Sequence, residues 1–213
     1  MKQLLLRRIL LVVLPSICLA TPALHAAPLL FENFDELTPS LSATSAGVFH
    51  TINGTNIDII GGALFGSLCA APTSGNCIDL GGSGGNPVGQ LALTTSLSLA
   101  AGTYDLSFDL IGSGRGQTTS TTVTFGSYSH TFVLASGDTA GGIVVNQLVT
   151  VAGGPTQLMF VNNGGGDGNV GAILDNVVVS SPDMTPTPEP GTLGLMATGV
   201  LAAAGAIRKR LLS

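Results

Sequence analysis

The chain has no tryptophan and only two tyrosines, Tyr104 and Tyr128, in 213 residues. Flat rings on which sugars or bases stack are therefore nearly missing. Charge is scarce too, at 9% of residues, and basic charge is almost absent from the centre of the chain. Lys2, Arg7 and Arg8 stand at the start and Arg208, Lys209 and Arg210 at the end, leaving Arg115 alone between them. All 12 acidic residues fall between Glu32 and Glu189, so the stretch 27–189 sets one base against 12 acids. A field of that sign repels phosphate backbones and excludes nucleic acid as a partner. It also leaves carboxylates without basic partners, a setting in which divalent cations serve as counter-charges.

Catalytic constellations are lacking as well. Beyond the first 26 residues the only histidines are His50 and His130, and neither has a Cys or Ser partner at a telling spacing. Residues 81–85, Gly-Gly-Ser-Gly-Gly, match the G-x-S-x-G pattern formally, but no helical pattern follows to make a nucleophile elbow. Residues 112–116 surround Arg115 with glycine yet carry no Lys and no following helix, so they are no phosphate loop. The single glycine-rich stretch 162–169 reads as a loop, because stacked calcium repeats need several copies. The acids are scattered, and no two are selected as a glycosidase pair. Of three cysteines, Cys18 lies in the leader; Cys69 and Cys77 form an even pair for an oxidising compartment. A disulfide closing a short loop is the reading favoured over a metal pair, since no histidine lies nearby.

What is present falls into three parts. Residues 1–26 read as a secretory signal peptide, with basic residues, an apolar run and small residues in order. Residues 27–182 carry short β-type runs separated by Gly, Asn and Ser turns, at 29–34, 48–52, 57–64, 77–80, 103–110, 121–125, 129–134, 143–151, 157–161 and 172–179. With no helical period between them, they predict an all-β antiparallel β-sandwich or jelly roll. In 103–110 the alternation puts Tyr104, Leu106, Phe108 and Leu110 on the core face and Asp105 and Asp109 on a solvated one. Tyr128, at a hairpin tip, is the one candidate for an exposed ring. Asp175 shares strand parity with Ile173, Val177 and Val179, so an apolar face is expected to carry a carboxylate. Metal coordination or an open edge would relieve that cost.

The third part is the tail. A proline-rich linker at 183–187 leads to Pro188-Glu189-Pro190, then to the uncharged run 191–207 and the basic end Arg208-Lys209-Arg210. A helix of that run spans roughly 25 Å, just enough for a single transmembrane helix. The basic residues at both ends predict that both termini stay cytoplasmic while the domain between them is translocated.

This tail resembles the PEP-CTERM sorting signal of Gram-negative bacteria, over residues 188–213. The resemblance implies recognition by a membrane-embedded exosortase at Pro188, Glu189 and Pro190, loss of the tail, and export to the cell surface or extracellular matrix. A second resemblance rests on Phe31-Glu32-Asn33-Phe34, on 101–109 and on Ile173-Leu174-Asp175-Asn176-Val177. These are similar to galactose-binding-like jelly rolls, which include many bacterial carbohydrate-binding modules. That likeness implies a structural calcium ion (Ca2+) held by Glu32 and Asp175. The expected function is that of a non-catalytic exported surface or matrix protein associated with exopolysaccharide. The alternatives are a calcium-stabilised carbohydrate-binding module and, third, a secreted hydrolase.

Overall fold

Runs of Val, Ile, Thr and Phe broken by glycine favour short pleated strands over helix, and short strands are what forms. The computed structural model describes residues 27–181 except 71, 72, 85, 87, 95, 137, 139–142 and 165–167. The stretches read as a signal peptide (1–26) and a linker (183–187), the apolar run 191–207 and the motif Pro188-Glu189-Pro190 lie outside the described residues. In chain order, β1 is Leu30–Glu32, β2 Ser40–Ala43, β3 Ser45–Ala46, β4 Phe49–Thr51 and β5 Ile57–Ile60. After a 3-10 turn at Gly66–Leu68 come β6 Cys77–Asp79, β7 Gln90–Leu93, β8 Leu97–Leu99, β9 Gly102–Ile111 and β10 Thr119–Phe125. The remaining strands are β11 Tyr128–Leu134, β12 Ile143–Val151, β13 Gly154–Thr156, β14 Leu158–Asn162 and β15 Ile173–Ser180. Among the described residues there is no α-helix, and no helix long and apolar enough to cross a membrane.

Two antiparallel sheets make the sandwich. The first runs β12-β9-β15-β6-β5-β2, and the second runs β11-β10-β14-β7-β4-β3. β15 organises the first sheet. One of its edges pairs with β9, while the other is shared by β6 at Ile173 and Leu174 and by β1 at Val177 to Val179. The expected run 57–64 ends early, at Ile60, because Gly61 and Gly62 turn the chain into a loop. The run expected at 157–161 is β14, and a short pairing of β8 with β13 precedes it.

The inner faces meet in one core, to which β9 gives Leu106, Phe108 and Leu110 and β10 and β14 give Val123, Phe125, Leu158 and Phe160. Through it runs a chain of rings. Phe34 meets Phe49 at 6.2 Å between centroids, Phe49 meets Phe160 at 6.0 Å, and Phe160 meets Phe108 at 5.2 Å. Phe132 then bridges from Phe108 to His130, and His130 stacks on Tyr128. Edge-to-face pairs of this kind add about 0.5–1.5 kcal/mol each beyond their burial. Tyr128 is thus not a free platform: it shares the inward parity of His130 and Phe132, is half-buried, and packs against the core. Burial also raises its phenol above the usual range. Tyr104 is in the core, and its hydroxyl donates to Ala100 O at 3.0 Å.

A second, smaller cluster lies on the outer face of the first sheet, where Ile60, Cys77, Ile111 and Ile173 are buried. The segment between β5 and β6 folds over them, bringing Leu68, Cys69 and Ala70 against the cluster. Cys69 and Cys77 are joined by a disulfide, with Cα atoms 5.9 Å apart and a sequence separation of 8. The bridge closes the cover onto the strand beneath it. Replacing both cysteines by serine is expected to cost about 2 kcal/mol, the value for a short closed loop. The urea midpoint should fall, and an unchanged midpoint would show that the cover needs no crosslink.

Candidate functional site: the covered acidic face

A sheet face normally presents its polar positions to water, but here loops cover the outer face of β5, β6, β9 and β15. Four aspartates are buried there, Asp58, Asp79, Asp109 and Asp175, each exposed by 7% or less. Asp58 lies opposite Asp79 across β5 and β6, and Asp109 lies opposite Asp175 across β9 and β15. The expectation that Asp109 lies on a solvated face is therefore corrected. Strand alternation does place it outward, but it is 7% exposed and accepts a hydrogen bond from Asn176 of β15, a partner set by long-range pairing.

Asp79 is the most constrained of the four. Its Oδ1 accepts the N–H of Gly81 at 2.8 Å and of Gly171 at 2.9 Å, and its Oδ2 is paired with the Arg115 guanidinium. Arg115 reaches on to donate to Asn169 O at 2.7 Å. Gly81 and Gly171 cross so closely that a Cβ on either would collide with the backbone of the other. Asp58 binds a neighbouring loop: its Oδ1 accepts Ser42 N and Ser83 N, and its Oδ2 accepts the Ser83 hydroxyl at 2.5 Å. The serine of the G-x-S-x-G look-alike is thus fastened to a carboxylate in an irregular loop, with no helix after it.

Asp175 sits under the disulfide-bonded cover. Its Oδ2 accepts Ser74 N at 3.0 Å and its Oδ1 accepts Asn176 N at 2.7 Å. The expected parity holds only in part. A bulge between Asp175 and Val178, with Asn176 at φ 50°, shifts the register by one. Leu174, Val177 and Val179 therefore join the main core while Ile173 packs in the outer cluster. Asp175 belongs with Ile173, not with Val177. The bulge also aims Asn176 Nδ2 at Asp109 Oδ2, 2.7 Å away.

Glu32 has different partners. Its Oε1 accepts Phe34 N at 3.1 Å and its Oε2 accepts Val48 N at 3.0 Å, so it ties β1 to the β3–β4 turn. Gly47, at φ 57°, leaves the space that this carboxylate fills. Glu32 and Asp175 are brought to the same strand region, since Glu32 lies opposite Val177, yet they share no hydrogen-bond partner. The acids acting on Asp175 are Asp35 and Asp109. Asp35 in turn accepts Asn76 N at 3.0 Å from the same cover segment. Among the described residues no three His, Cys, Asp or Glu side chains cluster as metal ligands do. Sequence reasoning passed over Asp58 and Asp79. The β5 and β6 runs were visible, but nothing local says that two loops will later close over them.

Residues 186–210 match the family model of the PEP-CTERM protein-sorting motif, a segment that marks a chain as exported. No curated protein matches the sequence of this chain. Among solved structures, the K3 cleaved adhesin domain of Lys-gingipain from Porphyromonas gingivalis is 17% identical, with TM-score 0.46, covering 73% of this chain and 100% of that one. The CBM22-1 xylan-binding domain from Paenibacillus barcinonensis is 10% identical, with TM-score 0.45, covering 72% and 94%. The C-terminal CBM6 of a marine laminarinase from Zobellia galactanivorans is 9% identical, with TM-score 0.40, covering 71% and 98%.

Burial pushes the Asp79 carboxyl from 3.8 up to about 7, outweighing Arg115 and the two glycine N–H groups that favour the anion. Burial likewise raises Asp175 to about 6, against the N–H groups of Ser74 and Asn176 and reinforced by Asp35 and Asp109. Each folded-state value lies above the unfolded one, so the fold holds these protons more tightly than the open chain does. Their contribution is full below about pH 4 and is lost as pH rises through 6 and then 7. Melting followed by circular dichroism should therefore give a higher Tm near about pH 5 than near about pH 8. Asp79→Asn should flatten part of that slope. Arg115→Ala should cost about 3 kcal/mol near pH 8 by leaving a buried anion unpaired, and less near pH 5. A wild-type Tm that does not change over this interval would contradict the assignment.

Proposed function

We propose that this chain is a non-catalytic exported protein whose tail is read and removed by an exosortase, delivering an acidic β-sandwich to the cell surface or extracellular matrix, in association with exopolysaccharide. The observation that carries the reading is the sorting-motif match at 186–210. Two further observations support it. The basic residues are confined to the terminal signals, so the processed domain keeps the acids and loses almost every base. The four buried aspartates already have structural partners, in backbone N–H groups, Arg115 and the Asn176 amide. In the sequence, the prolines on both sides of Glu189 disfavour helix at that position, and a segment kept out of helix is one that a membrane-embedded protease can read.

Intact-mass measurement of the mature protein from its native host should lack the segment after the Pro188-Glu189-Pro190 motif. Replacing those three residues by alanine should leave a longer, membrane-retained form. Mature protein that keeps Arg208, Lys209 and Arg210 at steady state would overturn the sorting reading.

The second reading is a calcium-stabilised carbohydrate-binding module. The outer face of the second sheet favours it, being a connected polar array. Thr122 and Thr131 hydroxyls lie 2.8 Å apart, and Asn163 Nδ2 donates to Ser120 Oγ and Thr122 Oγ1. Such a face offers hydroxyl and amide groups to a glycan, though without an aromatic platform. For the ion, the support is electrostatic: Asp175 is buried, and Asp35 and Asp109 both add to its unfavourable charge. The oxygens of Glu32 and Asp175 already accept backbone N–H groups, so the pair alone does not make the six- to eight-oxygen cage that calcium takes. A glycan array probed with and without chelator separates the readings. This second one requires a bound glycan, a Tm lowered by chelation, and loss of that response in Asp175→Asn. No glycan bound and no change in Tm would remove it.

A further inference from the structure

The two ends of the described chain leave the sandwich side by side. Leu29 donates its N–H to Val179 O at 2.8 Å and Leu30 lies opposite Val179, so Ala27 and Ser181 emerge from neighbouring points. The surface around that exit is apolar. Leu29, Phe31 and Val48 are exposed by 46%, 57% and 41%, while most large apolar residues of the domain are buried. With Thr94 and Leu97 they border a shallow concavity of about 540 Å³. The patch is held by its backbone. Glu32 Oε2 accepts Val48 N, and Val48 O accepts Thr94 N at 2.9 Å. Its nearest carboxylate in sequence is therefore already engaged and does not compete for the apolar surface.

We propose that this patch rests on the lipid bilayer while the precursor is anchored, so that its occupant is a membrane surface. The inference rests on reading 191–207 as the membrane-spanning segment of the unprocessed chain. Residues 182–190 reach at most about 30 Å when fully extended. A domain of this size has a radius of gyration of roughly 15 Å, so that reach is about one domain diameter. The surface around Ser181 is the one nearest the point of attachment, so it meets the bilayer over the shortest path, and that surface carries Leu29, Phe31 and Val48. Exposed Phe and Leu side chains settle about 5–10 Å into the boundary between headgroups and acyl chains. The acidic domain is repelled by anionic headgroups, so contact is strongest on zwitterionic lipid.

The test uses the signal-cleaved precursor, residues 27–213, inserted through its tail into phosphatidylcholine vesicles that carry nitroxide-labelled lipid. An environment-sensitive fluorophore is placed at Phe31→Cys, or at Val133→Cys on β11, a site 68% exposed in a strand at the edge of the other sheet. Lipid quenching is expected to be roughly threefold stronger at position 31 than at position 133, and to weaken when phosphatidylglycerol is added. Equal quenching at both positions, in chains whose tail resists alkaline extraction, overturns this inference and leaves the anchoring reading standing. A tail that is extracted overturns both. A blue shift at position 31 that grows with protein density, without lipid quenching, assigns the patch to a second copy of the chain and also overturns the inference.

Discussion

A carboxylate taken out of water must find donors or give up its charge, and Asp79 has been given donors from three separate loops. Gly81, Gly171 and Arg115 come from connections far apart in sequence, and all converge on one side chain 2% exposed. Both glycines are required where they stand, because their backbones touch. The conformation of the β6–β7 connection, of the segment entering β15 and of the loop after β9 is thus set together. Asp58 extends the arrangement by holding Ser42 and Ser83. The loops at this end of the sandwich are fixed by buried acids more than by apolar packing.

That arrangement explains why one basic residue survives in a domain otherwise stripped of them. Arg115 neutralises a buried acid, and no other acid of the domain has a basic partner among the described residues. Among the described residues, Glu32, Asp35, Asp58 and Asp175 accept backbone N–H groups and Asp109 accepts the Asn176 side-chain amide.

The sequence made the architecture legible wherever a strand was long and two-faced. The alternation in 103–110 located the core residues of β9 correctly, and the lack of any helical period gave an all-β sandwich. It failed where a residue's environment is made by distant chain. Asp109 alternates as a solvated position should, yet it is buried and bonded to Asn176, which the β15 bulge aims at it. Asp175 was placed on the right strand but on the face of Val177, because a one-residue bulge at Asn176 leaves no periodic trace. Tyr128 looked free at a hairpin tip, and the inward row of His130 and Phe132 claims it. Glu32 was legible as an acid near the first strand. Its partners, Phe34 and Val48, depend on a turn that no local pattern announces.

The position of β15 has a mechanical consequence. The strand that leads into the tail is not at a sheet edge; it is bonded along one side to β9 and along the other to β6 and β1. Tension applied through Ser181 acts along the strand axis and loads these bonds together, in shear, instead of opening them one after another as at a peeling edge. The bulge at Asn176 and the carboxylate contacts of Asp175 add a catch against sliding. A domain tethered through this end takes drag along a strand bonded on both sides.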